Sequence, residues 1–348
     1  MRLAEVVARV PVGVQAAVVR AVVGMPAGVR RMLVGAPVRV DGQELALEAQ
    51  LVLWFNRLVR HSFLAEQPEV ARGRMDRSRG LIGGPAIPGV ATREVPVGRV
   101  YVPTGVGERA PLLVFYHGGG WVVGSVDSHD DVCRFLAWHA GVKVLSVEYR
   151  LAPEEPFPAA VDDAMAGFRY AVENAAELGI DPELIAVGGD SAGGNLAAVT
   201  AYQAKRNDSP QPVFQMLLYP AVDATTRRAS RDLFTDGYFL TDADIDWFCD
   251  HYCPDVEQRG DVRISVLGAE DLSGLPAAYI ATAGFDPLRD EGAAYAERLR
   301  EAGVPVVYSC QRDLIHGYAS FFAVGTRFRE ALLEAATALR LGLALNGR

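Results

Sequence analysis

The apolar run Leu112-Leu113-Val114-Phe115-Tyr116 stops at His117-Gly118-Gly119-Gly120. Glycines packed behind a strand leave backbone N–H groups bare and free to hold an anion. A second signal lies downstream at Gly189-Asp190-Ser191-Ala192-Gly193. A G-x-S-x-G match is weak alone in a chain with 35 glycines, but paired with an upstream H-G-G-G it points to acyl transfer by an activated serine.

From about residue 90, short apolar strands alternate with longer helical stretches. Strands are predicted near 90–96, 99–103, 112–116, 143–148, 184–188, 213–219, 278–283 and 304–309. Helices are predicted at about 129–140, 159–178, 192–205 and 290–302, with Asp181-Pro182 and Gly303 as punctuation. The runs Val142–Val147, Leu184–Val187 and Val213–Tyr219 are predominantly apolar rather than alternating, as in strands covered by helices on both faces. The class expected is therefore α/β, with a mostly parallel eight-stranded sheet flanked by helices. Residues 1–60 and 223–260 break this rhythm. They are read as an N-terminal helical cap segment and a cap insertion, leaving 61–222 and 261–348 as the two parts of a core. The second region carries Tyr238, Phe239, Trp247, Phe248 and Tyr252, suited to an aromatic-lined cover.

The 348 residues, 50% hydrophobic, can bury a large core. A net charge of -9 without a basic run argues against nucleic acid as a partner. Four scattered cysteines fit a reducing compartment, and a cytoplasmic location is expected. The first forty residues hold six arginines against one acid, net +5, which leaves -14 for the remainder. There Leu3, Val6, Val10, Val14, Val18 and Val22 recur at helical spacing. A helix packing on its own domain is favoured over one lying on an anionic membrane. A secretory signal fits poorly, because Glu5 and Arg9 interrupt the apolar stretch and Pro11 follows it. A homodimer is left open.

Ser191 sits where strand must turn abruptly into helix, with Gly189 and Gly193 supplying the lack of bulk such a turn requires. A serine hydroxyl needs a base within reach and a third group orienting that base. In α/β hydrolases the order along the chain is nucleophile, acid, histidine. Only His251 and His316 follow Ser191, and His316 alone comes after the last predicted strand. It is the expected base. Asp286, directly off the strand Tyr279–Ala283 and ahead of Pro287, is the expected acid; Asp290 is the alternative, better read as a helix cap. Gly119, Gly120 and Ala192 are expected to offer N–H groups to an oxyanion, with His117 bracing their loop.

His117-Gly118-Gly119-Gly120-Trp121, Tyr149-Arg150-Leu151-Ala152-Pro153-Glu154, Gly189–Gly194, Asp286–Gly292 and Ile315-His316-Gly317, in that order, resemble the hormone-sensitive-lipase-like esterases of the α/β-hydrolase superfamily. The likeness runs from about 85 to 335. It implies an α/β-hydrolase fold with a helical cap, a triad of Ser191, Asp286 and His316, and an oxyanion hole of Gly119, Gly120 and Ala192. The activity expected is a serine carboxylesterase taking small-molecule esters of short to medium chain, with no cofactor. Amide or lactone hydrolysis on the same triad is the alternative, and a non-catalytic receptor is a remoter one.

Three weaker signals remain. Cys249-x-His251-x-Cys253 lacks the second ligand pair of a structural zinc site, so no metal is expected. Asp162-Asp163 reads as favourable charge at a helix start. Arg150 and Glu154 are expected to hold the loop beside the glycine turn as an ion pair.

Overall fold

The computed structural model describes residues 11–59, 67–84 and 87–347. Helices α1 (Val12–Val23) and α2 (Ala27–Val34), a small hairpin of β1 (Arg39–Val40) and β2 (Gln43–Glu44), α3 (Leu47–Val59) and α4 (Pro68–Ile82) come first. Then follow β3 (Val90–Val95), β4 (Gly98–Pro103), β5 (Ala110–Tyr116), α5 (Asp130–Ala140), β6 (Lys143–Val147), α6 (Ala159–Glu173), α7 (Ala175–Leu178), β7 (Ile180–Asp190), α8 (Ala192–Arg206) and β8 (Phe214–Leu218). The chain ends with α9 (Ala229–Leu233), α10 (Asp242–Tyr252), β9 (Ala277–Phe285), α11 (Arg289–Glu301), β10 (Val306–Ile315) and α12 (Thr326–Asn346).

Eight strands make one sheet in the order β10-β9-β8-β7-β5-β6-β4-β3. Pairing is parallel from β10 to β6 and antiparallel where β4 meets β6 and β3. Side-chain alternation divides the core in two. Leu112, Val114 and Tyr116 of β5 join α6 and α8 on one face, while Leu113 and Phe115 join α5 and α12 on the other. The strands inside the sheet thus carry mostly apolar residues on both sides, the reason for their mostly apolar runs, whereas the edge strand β10 is partly exposed and more polar.

All eight predicted strands are present. β7 starts at Ile180, across the break expected at Asp181-Pro182, and Ile180 pairs with Ala110 before a register irregularity. The helix expected over 159–178 is interrupted at Asn174. Helix α12 is an element beyond the predicted ones, and its Phe328, Leu332, Ala335, Leu339 and Leu343 bury one face at helical spacing.

Helix α4 packs against α1. The valine stripe of α1 turns inward only in part: Val14 and Val18 are each 52% exposed, whereas Val22 is half-buried and Ala16 is the buried residue of α1. Leu3, Val6 and Val10 lie outside the described residues.

Candidate active site

β7 ends at Asp190 and α8 begins at Ala192, leaving Ser191 between them with φ 56° and ψ −120°. A non-glycine residue held there stores strain that its surroundings must impose. They do so by close packing. A Cβ on Gly193 would run into the Tyr116 carbonyl, and one on Gly189 into the Gly193 backbone, so only glycine lets α8 start this close to β5. The Ser191 N–H donates to the Leu218 carbonyl at 2.8 Å, tying the turn to the exit of β8.

Asp286 and His316 follow the ends of β9 and β10. His316 Nε2 lies 2.9 Å from Ser191 Oγ, and His316 Nδ1 lies 2.7 Å from Asp286 Oδ2. An acid facing Nδ1 makes that nitrogen the donor and leaves Nε2 to accept the serine proton. Asp286 is fully buried, and its other oxygen accepts the Leu288 N–H at 2.8 Å. Three loops far apart in sequence therefore meet in one hydrogen-bonded row.

The glycine loop closes beside them. Gly119, with φ 120°, accepts the N–H groups of Val122 and Val123, at 3.1 and 3.0 Å. Among the described residues no acceptor takes the N–H of Gly119, Gly120 or Ala192, and all three line the same cavity as Ser191. His117 is buried; its Nδ1 lies 2.8 Å from the Gly118 carbonyl, and the Tyr149 hydroxyl donates to the His117 carbonyl at 2.7 Å. Burial, then the nearby His129, push the His117 pKa down to about 3, so it stays neutral and braces the loop. Asp190 Oδ1 accepts the Gly118 N–H at 2.8 Å and faces His129 Nε2 at 3.3 Å. Burial alone would raise the Asp190 pKa, but His129 and that N–H hold it below the usual carboxylate range.

A cavity of about 670 Å³ opens over this row. Val22 of α1, Trp54 of α3, Met75 of α4, Phe239, Phe248 of α10 and Phe321 contribute to its walls. Phe248 lies so close that a Cβ on Gly120 would strike its ring. Trp121 stacks on Tyr252 with ring centroids 4.3 Å apart. Glu291, buried in the same wall, accepts the Val222 N–H at 2.8 Å, and burial pushes its pKa up to about 8.

The expected ion pair between Arg150 and Glu154 is corrected. Arg150 pairs with Asp163, Nε to Oδ2 at 2.8 Å, and with Glu155, because the guanidinium fork meets the Asp163 carboxylate on α6. Glu154 is instead held by Arg72 of α4 through bonds of 2.8 and 2.6 Å, which pull its pKa down to about 2. Asp290 lies in the first turn of α11 and accepts the Ser230 N–H at 2.8 Å, away from His316. His251 points back to the Trp247 carbonyl within α10. Among the described residues no group of three or more His, Cys, Asp or Glu could hold a metal ion. The partners of Asp190, Arg72 and Glu291 had no sequence signal, since each bond joins residues 50 or more positions apart.

The α/β hydrolase fold family matches residues 113–320. The carboxylic ester hydrolase LipN of Mycobacterium tuberculosis is 45% identical over 323 residues, 88% of this chain and 85% of that protein. The ester hydrolase EH1AB1 from the Lake Arreo metagenome, solved with a bipyridine phosphonate derivative, is 40% identical, with a TM-score of 0.80 over 85% of this chain and 98% of that one. A thermostable esterase from Pseudomonas putida is 33% identical, with a TM-score of 0.83 over 88% of this chain and 99% of that one. With the sheet order, the strained serine turn and these likenesses agreeing, the chain belongs to the α/β hydrolase fold family.

Proposed function

We propose that this chain is a serine carboxylesterase of the hormone-sensitive-lipase-like group, hydrolysing small carboxylic esters through an acyl-enzyme. The supporting observation is the row Ser191 Oγ, His316 Nε2, His316 Nδ1, Asp286 Oδ2, with spacings of 2.9 and 2.7 Å, at the floor of an apolar cavity. Ser191 Oγ attacks the ester carbonyl carbon as its proton passes to His316 Nε2. The carbonyl oxygen becomes an oxyanion facing the N–H groups of Gly119, Gly120 and Ala192. The bond to the alcohol breaks, the alcohol leaves with the proton from His316, and an acyl-serine remains. Water then adds by the same route, its proton going to His316 and on to Ser191 as the carboxylic acid departs. Asp286 orients the imidazole and stabilises its charged form.

The cavity volume falls in the range of small-molecule sites, with space beyond an acetyl group. The N-terminal helices and the 223–260 segment act as the cap that closes it. The test is hydrolysis of p-nitrophenyl esters from acetate to octanoate. Turnover is expected from the wild type and a loss of at least about 10⁴-fold from Ser191→Ala and His316→Ala. Full activity in either variant overturns the reading.

A further inference from the structure

Helix α1 is apolar on two sides. Val12, Ala16, Val19 and Val23 turn toward the domain, and Ala16 is buried there. On the other side Val14, Ala17, Val18 and Ala21 recur at i, i+3, i+4 and i+7, and all four are exposed. The outward face of a surface helix is ordinarily charged or polar; here the single charge in the helix is Arg20, also exposed. Exposed Met32 and Leu33 of α2 extend the apolar character of this end of the chain. Among the described residues no single helix is long and apolar enough to cross a membrane.

We propose that the outer face of α1 docks on the surface of an anionic lipid bilayer. Charge selects this occupant. The first forty residues carry net +5 and the remainder -14; Arg30 and Arg39 pair with Glu48 and Glu44, while Arg20 of α1 and Arg31 of α2 have no carboxylate partner among the described residues, so a negative surface attracts this end and repels the rest, which orients the molecule. A second copy is the poorer fit, because a two-fold contact would set one net-positive segment against another. The face is also continuous with the cavity: Val18 is half exposed and lines the cavity together with Gln15 and Val22. A molecule docked this way turns the cavity toward the lipid, and an amphiphilic ester reaches Ser191 along an apolar path. That last step rests on the esterase reading; the docking does not.

The test is co-sedimentation of the full chain with vesicles of phosphatidylcholine, alone or with about one-third phosphatidylglycerol, at about 0.1 M and about 0.5 M NaCl. The bound fraction is expected to be roughly tenfold higher on the anionic vesicles and to fall at the higher salt. Val14→Glu/Ala21→Glu, which changes two outward residues off the cavity wall, is expected to lose binding while hydrolysing soluble p-nitrophenyl acetate at the wild-type rate. Equal binding to both vesicle types, or anionic binding retained by the double variant, overturns the proposal. So does a wild-type dimer in light scattering that the double variant dissolves, which would identify the face as a contact between copies. Failure of the wild type on the soluble ester would overturn the esterase reading and leave the vesicle result standing.

Discussion

Asp190 Oδ1 accepts the Gly118 N–H at 2.8 Å, so the residue before Ser191 also holds the loop that carries Gly119 and Gly120. One buried carboxylate fixes both parts of the site relative to each other, and its bond to Gly118 joins the exits of β5 and β7.

Asp190→Ala removes that acceptor and leaves a buried N–H without a partner. Stability is expected to fall by about 1–3 kcal/mol in urea unfolding. Because the oxyanion loop is loosened rather than the ester pocket, kcat should fall by about 10²-fold with KM changed little. A kcat within twofold of wild type would show that the loop holds its shape without Asp190.

Phe248 packs over Gly120, and both line the cavity beside Ser191. Phe248→Ala is expected to raise kcat/KM for p-nitrophenyl octanoate relative to acetate by several-fold, the scale that one apolar contact allows. Gly119→Val acts on the loop itself: its Cβ would strike the Val123 carbonyl at a φ of 120°, and turnover of every ester should drop together, by about 10²-fold.

Two buried groups shape stability against pH in opposite directions. Glu291 keeps its proton in the folded state up to about pH 8, whereas its ordinary value is 4.5; between these values the unfolded chain has released a proton that the native state retains. Stability from this group is therefore whole below about 4.5 and lost as pH rises toward 8. His117 works on the acid side. Held neutral down to about pH 3 against an ordinary 6.5, it removes stability as pH falls through that interval. Thermal melts of Glu291→Gln should decline less than wild type from pH 5 to about 8.5. Parallel curves would show that Glu291 does not titrate there.

Arg72 carries more than its ion pair. Its guanidinium also donates to the carbonyls of Val122 and Ala152, both at 2.8 Å, joining α4 to the segments after the glycine loop and before Glu154. Glu154 is half exposed, so the ion pair itself contributes little. Arg72→Ala should lower stability by about 1–2 kcal/mol and raise KM, and Arg72→Lys should restore little, because an ammonium cannot reach three acceptors as the planar fork does. Melting temperatures and ester kinetics of the two variants decide the point.

Local patterns made much of this molecule legible. Strands buried on both faces are mostly apolar, so each strand could be placed from its run, though not the ends of β7 and β10. The serine turn and the glycine loop are short motifs whose backbone demands fall on neighbouring residues. His316 and Asp286 were legible for another reason: strand order in this architecture ties chain order to place. What could not be read lies between elements. For the stripe of α1, periodicity reveals that a helix has an apolar side, not which way that side turns, and α1 has two such sides.

The amino-acid sequence alone determined the strand rhythm, the strained serine between two glycines and the identity of the histidine and carboxylate that follow it. Only the tertiary structure decided that Arg72, not Arg150, holds Glu154, that Asp190 ties the Ser191 turn to the glycine loop, and that Val14 and Val18 face outward. The physical reason is range. Backbone preference and burial periodicity act over a few residues, whereas a guanidinium or carboxylate pairs with whatever chain segment packing brings within about 3 Å of it.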